Sequence, residues 1–157
     1  MLPEKAEVIA AFRQALSEEL RAVERVAEMA RDETTSEETR QEGKYDTRAI
    51  ESSYLARGQA ARIVSLRRFH DWFQRLREDV ENDSVGVGAL VAVEGHRDLC
   101  VFIAPVGGPH VTVGGRSIQV VSLTSPMGQA MAGLEEGDGF EVDTPGAIRE
   151  YEIVGIR

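Results

Sequence analysis

The feature that most constrains the fold is a change in the spacing of apolar residues near residue 83. Before it, apolar side chains recur every three or four positions, as in amphipathic helices; after it, they alternate in short runs rich in valine and isoleucine. The chain has 157 residues, of which 42% are hydrophobic and 29% charged, a globular composition. The sequence therefore predicts an α+β protein with a helical domain over residues 1–82 and a β domain over residues 83–157.

The helical half contains two amphipathic patterns. The first runs from Pro3 to about Asp32 with the three-and-four spacing of a coiled-coil seam. This spacing requires an apolar residue at position 19, but polar Glu19 is there and the apolar Leu20 follows it. Its predicted seam residues are Ile9, Phe12, Leu16, Val23, Val26 and Ala30. The second runs over residues 47–80 through Ile50, Tyr54, Ala61, Leu66, Phe69, Phe73, Leu76 and Val80. Two helices of matching length joined by a short polar segment predict an antiparallel coiled-coil hairpin.

The segment between the two patterns is strongly acidic. The stretch RDETTSEETRQEGKYDTRAIE, residues 31–51, carries seven acidic side chains among its 21 residues. In a hairpin it forms the tip. Charge runs of this kind are usually solvated surface, so a loop without function is the alternative to a functional tip.

The β half begins with three valine-rich runs. Residues 85–94, 98–106 and 117–124 are bounded by EGHR and GGPHVTVGG, a pattern that predicts an antiparallel sheet with hairpin connections. The motif GVG at residues 86–88 lacks the context of a phosphate-binding loop and is predicted to start the first strand.

A short helix and a final hairpin follow. Ser125 is a good N-cap and Pro126 a good first helical residue, and Gly133 can end the helix. Two last strands flank the turn at Pro145 and Gly146. Their side chains predicted to share one face are Phe140, Val142, Tyr151 and Ile153.

Charge and cysteine content exclude several classes of function. The net charge is −9: residues 1–82 hold 14 basic and 17 acidic side chains, and residues 83–157 hold 4 and 10. Free DNA is therefore a poor partner, because phosphate binding depends on clustered Lys and Arg. Cys100 is the only cysteine, so no internal disulfide is possible, and it is expected to be a small buried side chain. We find no signal peptide or apolar membrane segment in the sequence and expect a cytoplasmic protein.

The C-terminal stretch SLTSPMGQAMAGLEEGDGFEVDTPGAIREYEIVGI, residues 122–156, resembles the end of the bacterial GreA/GreB transcript-cleavage factors. That family has an S-P-(L/M)-(G/A) helix, a G-D turn, a P-G or P-A turn and a final Y-x-I strand in this order. A looser echo lies in YDTRAIESSYLARGQ, residues 45–59. The resemblance implies an antiparallel coiled-coil hairpin followed by an FKBP-like domain.

The resemblance also implies a function in trans on RNA polymerase. The C-terminal domain of such factors binds at the rim of the polymerase secondary channel, and the acidic tip reaches the catalytic Mg²⁺ to promote cleavage of backtracked RNA. The protein would then bind no cofactor alone, contact nascent RNA only indirectly, and act as a monomer without being an enzyme itself.

Three sets of residues are candidates for this function. The tip acids are Asp46, Glu51, Glu42 and Glu38, of which Asp46 and Glu51 are predicted to reach the polymerase Mg²⁺ in the complex. The residues implied in polymerase binding are Ser125, Pro126 and Met127. A basic face on the second helix could meet polymerase or RNA, or simply balance neighbouring acids; it consists of Arg62, Arg67, Arg68, Arg75 and Arg77. The three histidines, His70, His96 and His110, are scattered and are expected to be structural or at the surface.

Alternatives remain open. The family's tip pair is an Asp followed three residues later by a Glu, whereas Asp46 and Glu51 are five apart and precede Tyr54. This departure leaves open a factor that inhibits or modulates polymerase without promoting cleavage. A rival from another class is a prolyl isomerase, but residues 83–157 offer few aromatic side chains for its pocket. A third possibility is an interaction module for another nucleic-acid machine.

Overall fold

The computed structural model describes the backbone of residues 1–38 and 47–157 and the side chains of residues 1–32 and 57–157. None of the helices within these ranges is long and apolar enough to cross a membrane.

By packing, the described chain divides into two compact units. One consists of Met1–Phe12 and Arg75–Arg157, and the other of Arg13–Gln74. The boundary predicted between residues 82 and 83 followed the change of period along the chain, and it stays a prediction.

Two long helices, α1 (Lys5–Glu38) and α2 (Thr47–Arg75), account for the helical half. In the helical unit they run antiparallel, because low-numbered residues of α1 meet high-numbered residues of α2. Arg13 Nε donates to the carbonyl oxygen of Phe73 at 3.0 Å, and further along the pair Arg67 is ion-paired with Glu24. Whether they supercoil stays a prediction.

The apolar stripe of α1 agrees with the predicted seam in its first half and departs from it later. Ile9, Phe12 and Leu16 are buried and Val23 is partly buried, as predicted, whereas Val26 is 56% exposed and Ala30 is also exposed. From Phe12 onward the stripe runs through Phe12, Leu16, Leu20, Val23 and Ala27. Their spacings of four, four, three and four average more than the 3.5 residues of a heptad. The stripe therefore follows the period of an ordinary α-helix, which drifts from a strict heptad by about 20° per heptad.

Both helices also end at different residues from those predicted. Helix α1 continues beyond Asp32 to Glu38, and α2 stops at Arg75 instead of reaching Val80. The segment after α2 is held by α1: the Lys5 ammonium group donates to the carbonyl oxygen of Val80 and to the side-chain oxygen of Asn82. Residues 76–80 are therefore not helical, and the Val80 carbonyl is hydrogen-bonded to Lys5 of α1 instead of to a residue of α2.

The C-terminal half forms one six-stranded sheet crossed by a short helix. The strands are β1 (Leu90–Gly95), β2 (Leu99–Ala104), β3 (His110–Val113), β4 (Arg116–Ser122), β5 (Gly139–Thr144) and β6 (Ala147–Ile156), and α3 (Pro126–Met131) lies between β4 and β5 in the chain. Their order across the sheet is β3-β4-β2-β1-β6-β5.

The sheet is mixed, so the prediction of a wholly antiparallel sheet is wrong at one pair. Strands β2 and β4 are parallel, with Phe102 opposite Val120. The cause is β3, which the sequence placed in a loop. After β2 the chain forms β3 at the edge of the sheet and then turns back to form β4, which lies between β3 and β2. The turn consists of Gly114 and Gly115, both with positive φ, as a two-residue hairpin turn favours.

The first strand also begins later than predicted. Residues 86–88 lie in a turn, with Gly88 at φ 94°, and β1 starts at Leu90. The Gly88 N–H donates to the carbonyl oxygen of Ile103 at 2.7 Å, which closes this turn against β2.

The sheet buries apolar side chains on both faces. One face holds the main core, which includes Val93, Phe140, Val142, Tyr151 and Ile153, together with Met131 of α3. The four side chains predicted to share a face in the final hairpin do so. On the other face Phe102 lies 5.9 Å, centroid to centroid, from Phe12 in the first turns of α1.

Candidate partner-binding site

The corner between β4 and α3 is fixed by a compact hydrogen-bond network. Ser122 O accepts from Ser125 N at 3.1 Å and from Ser125 Oγ at 2.7 Å. Ser125 Oγ in turn accepts from the Gly128 N–H at 3.1 Å, as an N-cap does. The predicted N-cap is confirmed, and Pro126 occupies the start of the helix, where no backbone N–H is needed.

Gly128 allows the helix to approach the preceding strand closely. A Cβ atom built on Gly128 would lie 2.0 Å from Ser122 O and 2.8 Å from Leu123 Cα, both backbone atoms. A side chain at this position would require one of these two backbone segments to shift. The S-P-M-G motif therefore has a structural reason for its fourth residue.

The three residues predicted to bind polymerase differ in exposure. Pro126 is exposed, Ser125 is half-buried, and Met127 packs partly against the main core. Thr124, exposed beside them, has its Oγ1 2.9 Å from Ser122 Oγ. The surface that this corner offers a partner therefore consists of Thr124 and Pro126 more than of Met127.

The predicted tip acids cannot be placed with this site. Glu42 and Asp46 lie outside the described residues, and Glu38 and Glu51 belong to helices whose side chains at those positions are not described. Their role stays a prediction. Among the described residues, no group of three or more His, Cys, Asp or Glu side chains could hold a metal ion.

The predicted basic face is mostly used within the protein. Arg62 lies 3.6 Å from Glu19, Arg67 is paired with Glu24, and Arg77 lies 2.8 Å from Asp79. Hydrogen bonding to Arg77 holds the pKa of the Asp79 carboxyl below its ordinary value. The remaining two arginines, Arg68 and Arg75, are exposed. Three of the five thus balance neighbouring acids, the second of the two roles considered for them.

Lys5 is a residue that sequence reasoning missed. It is only 7% exposed, although lysine is rarely buried, and its Nζ donates to Val80 O at 2.6 Å and Asn82 Oδ1 at 2.7 Å. Burial lowers the pKa of Lys5 below 10.5, and the nearby Glu81 opposes this. A signal was present: Lys5 precedes Val8 and Ile9 by three and four positions, on the buried stripe of α1.

His70 and Cys100 have the structural roles expected for them. His70 Nε2 lies 3.0 Å from Ser17 Oγ, which joins α2 to α1. Cys100 is buried, and this burial raises the pKa of its thiol above 9.0. His96 and His110 are exposed.

The sequence around this corner matches a known family. Residues 80–157 match the family model described as the transcription elongation factor GreA/GreB C-terminal domain. Through these residues the chain belongs to the GreA/GreB family. The predicted recognition is confirmed for this half of the chain, and the network around Ser125 is part of its Gre C-terminal domain.

Individual relatives give the same family over a shorter stretch. GreA of Methylococcus capsulatus is 51% identical over 37 residues, which cover 24% of this chain and 23% of that protein. GreA of a Methylobacterium species is 57% identical over 37 residues, with the same coverage. The chain thus matches about a quarter of the length of these relatives.

A solved structure of Thermus aquaticus Gfh1 is similar over 94% of each chain, at 24% identity and a TM-score of 0.39. This score is too low to bear on the fold or the function of the present chain.

Proposed function

We propose that this protein binds RNA polymerase at the rim of its secondary channel and delivers carboxylates to the polymerase Mg²⁺ site. The observation that carries the proposal is the Gre C-terminal domain of residues 80–157, in the same chain as two long antiparallel helices. Residues 31–51, which include the segment between those helices, carry seven acidic side chains, as the tip of such a factor needs.

The helices have the length that the function requires. Helix α1 has 34 residues and α2 has 29, so at about 1.5 Å per residue they extend about 51 and 44 Å. A narrow channel admits a pair of helices but excludes a globular body. The lengths of α1 and α2 therefore support the proposal.

The chemistry assigned to the tip belongs to the polymerase. A two-metal site that cleaves RNA must hold both ions and orient the attacking water, and carboxylates from outside can stabilise a weakly held second Mg²⁺. We assign this role to Asp46 and Glu51, with Glu42 and Glu38 as further acids. In this proposal the metal ions and the attacking water belong to the polymerase, so the protein stimulates the nuclease activity of the polymerase and has none of its own. It would act in the cytoplasm on a polymerase that is already transcribing.

A second candidate function is modulation of polymerase without cleavage. It is favoured by the five-residue separation of Asp46 and Glu51, where the family that the chain resembles has three. In this alternative the tip enters the channel but its carboxylates do not reach the metal together, so the protein competes with cleavage factors.

Prolyl isomerisation has little support. Residues 83–157 contain three aromatic side chains, Phe102, Phe140 and Tyr151, and they are 0%, 8% and 7% exposed. All three serve the core, which leaves little aromatic surface for a pocket that binds a proline ring. The fold alone does not supply the activity.

The test is RNA cleavage by a stalled, backtracked elongation complex with and without the protein. We expect Mg²⁺-dependent shortening of the RNA 3′ end, lost in Asp46→Ala or Glu51→Ala. Glu7→Ala, which removes an exposed carboxylate from the first turn of α1, is the matched control and should retain shortening. Binding without shortening, measured by retention on immobilised polymerase, would select the modulator; absence of binding would refute both candidates.

A further inference from the structure

One part of the sheet surface is left uncovered and carries a block of carboxylates. In the register of β1, β6 and β5, Glu94 lies opposite Glu152, and Glu141 lies opposite Glu150. Glu150 and Glu152 are two apart in β6, so all four project from the same face. Asp143 and Ile148, also opposite each other, extend this surface toward the end of the hairpin. We call these six residues the acidic face.

The arrangement opposes folding. Directly opposite residues of an antiparallel pair have Cβ atoms about 5 Å apart, and like charges there are destabilising. Asp and Glu are also unfavourable in strands. Among the ion pairs of the described residues, none includes a carboxylate of the acidic face. No ion pair among the described residues therefore offsets the repulsion within the two acidic pairs, Glu94 with Glu152 and Glu141 with Glu150.

The acidic face is the exposed part of a sheet face that is buried at β1 and β2. Elsewhere on this same face, Leu90, Ala92 and Phe102 are buried. On the acidic face the carboxylates are exposed, and the Ile148 side chain is 65% exposed. The strand β5 beside them is an edge strand, so one row of its backbone N–H and C=O groups lacks a partner strand. An uncovered sheet edge with an apolar side chain and a regular row of charges has the features of a surface for an added strand.

The sign of the charge selects the occupant. Nucleic acids and anionic lipid surfaces are repelled by carboxylates, and a neutral peptide leaves the acidic pairs unrelieved. An open groove of about 1060 Å³ lies along this surface, rimmed also by His96 and Arg149.

We propose that the acidic face binds an extended, lysine- or arginine-rich segment of a partner protein, added along β5. A strand added along β5 lies about 4.8 Å from it, and alternate side chains of that strand lie about 6.8 Å apart, which matches the two-residue repeat of Glu141 and Asp143. Cationic side chains at alternate positions meet these two carboxylates directly, and Glu150 and Ile148 lie one strand further away, on β6. Binding relieves the repulsion within the acidic pairs. This inference goes beyond the proposed function and does not depend on polymerase binding.

The test uses the full ¹⁵N-labelled chain and a synthetic, end-blocked peptide of eight residues in which lysine and threonine alternate. We expect the peptide to shift amide resonances of β5 and β6, with an affinity that falls as salt is added. The same peptide with glutamate in place of lysine should cause no shift. The double variant Glu141→Lys with Glu150→Lys should bind the lysine peptide at least about tenfold more weakly, a loss of about 1.4 kcal/mol.

A matched control separates the acidic face from general negative charge. Glu135→Lys with Glu136→Lys makes the same change of net charge away from the acidic face and should leave the affinity within about twofold. Glu150→Gln removes one carboxylate without reversing its charge. It should raise the midpoint of thermal unfolding, because the repulsion with Glu141 is lost, and it should weaken binding of the lysine peptide. Equal weakening in both double variants, shifts outside β5 and β6, or full affinity in Glu150→Gln would overturn the proposal.

Discussion

The ammonium group of Lys5 is joined to the backbone of Val80 by a 2.6 Å hydrogen bond, across 75 residues of sequence. Asn82 Oδ1 accepts a second bond from the same nitrogen at 2.7 Å. One side chain in the first turn of α1 thus fixes the path of the chain from the end of α2 to the first strand. The Lys5 ammonium group donates to the Val80 carbonyl, which lies beyond the C-terminal end of α2.

Loss of this contact should destabilise the protein. In Lys5→Ala the Val80 carbonyl loses its donor, and the expected decrease in the free energy of unfolding is about 1–3 kcal/mol. Arg21→Ala, which removes an exposed cation from the same helix, should change it by less than about 0.5 kcal/mol. Urea unfolding followed by circular dichroism measures both. Equal values for the two variants would contradict the role given to Lys5.

The close approach at Gly128 predicts a strong steric effect. In Gly128→Ala the added methyl group meets Ser122 O at 2.0 Å, and neither backbone segment can move aside cheaply. We expect a loss of about 3 kcal/mol, at the upper end for overpacking. Gly86→Ala is the control, because nothing lies within 4 Å of a Cβ at that position. Thermal unfolding distinguishes them, and an unchanged midpoint in Gly128→Ala would show that the corner is more adaptable than its geometry indicates.

Capping and partner binding can be separated at the same corner. Ser125→Ala removes the acceptor of the Gly128 N–H and should cost about 1 kcal/mol, whereas Ser125→Asn keeps an N-cap and should cost only a few tenths. Pro126→Ala changes an exposed side chain, so it should leave stability nearly unchanged while weakening retention on immobilised polymerase. Retention of Pro126→Ala equal to that of wild type would remove Pro126 from the proposed contact.

The buried thiol predicts a pH dependence at the alkaline end. Burial raises the pKa of Cys100 above 9.0, so between 9.0 and its folded-state pKa the folded chain holds a proton that the unfolded chain has lost. The stability contributed by this group is complete below pH 9.0 and is lost as the pH rises through the folded-state pKa. Unfolding free energies from pH 8 upward should therefore fall less steeply in Cys100→Ala than in wild type. Identical slopes would show that this thiol does not contribute.

Much of the local structure follows from short-range rules. The N-cap at Ser125, the turn at Pro145 and Gly146, and the alternation that puts Tyr151 and Ile153 in the core depend on neighbours a few residues away, and all are confirmed. Strand β3 could not be predicted from such short-range rules. Its four residues pair only through the Gly114–Gly115 hairpin and the edge of β4, and their sequence alone resembles a loop.

The sequence by itself determined the α+β class, the antiparallel helix pair, the Gre motif and the caps and turns, because each depends on periodicity or on residues close in the chain. Only the tertiary structure decided that β2 and β4 run parallel, that α2 ends at Arg75, and that Glu141 and Glu150 lie opposite each other. The physical reason is that register and strand order are set by contacts between distant segments. Such contacts leave no period in the local sequence.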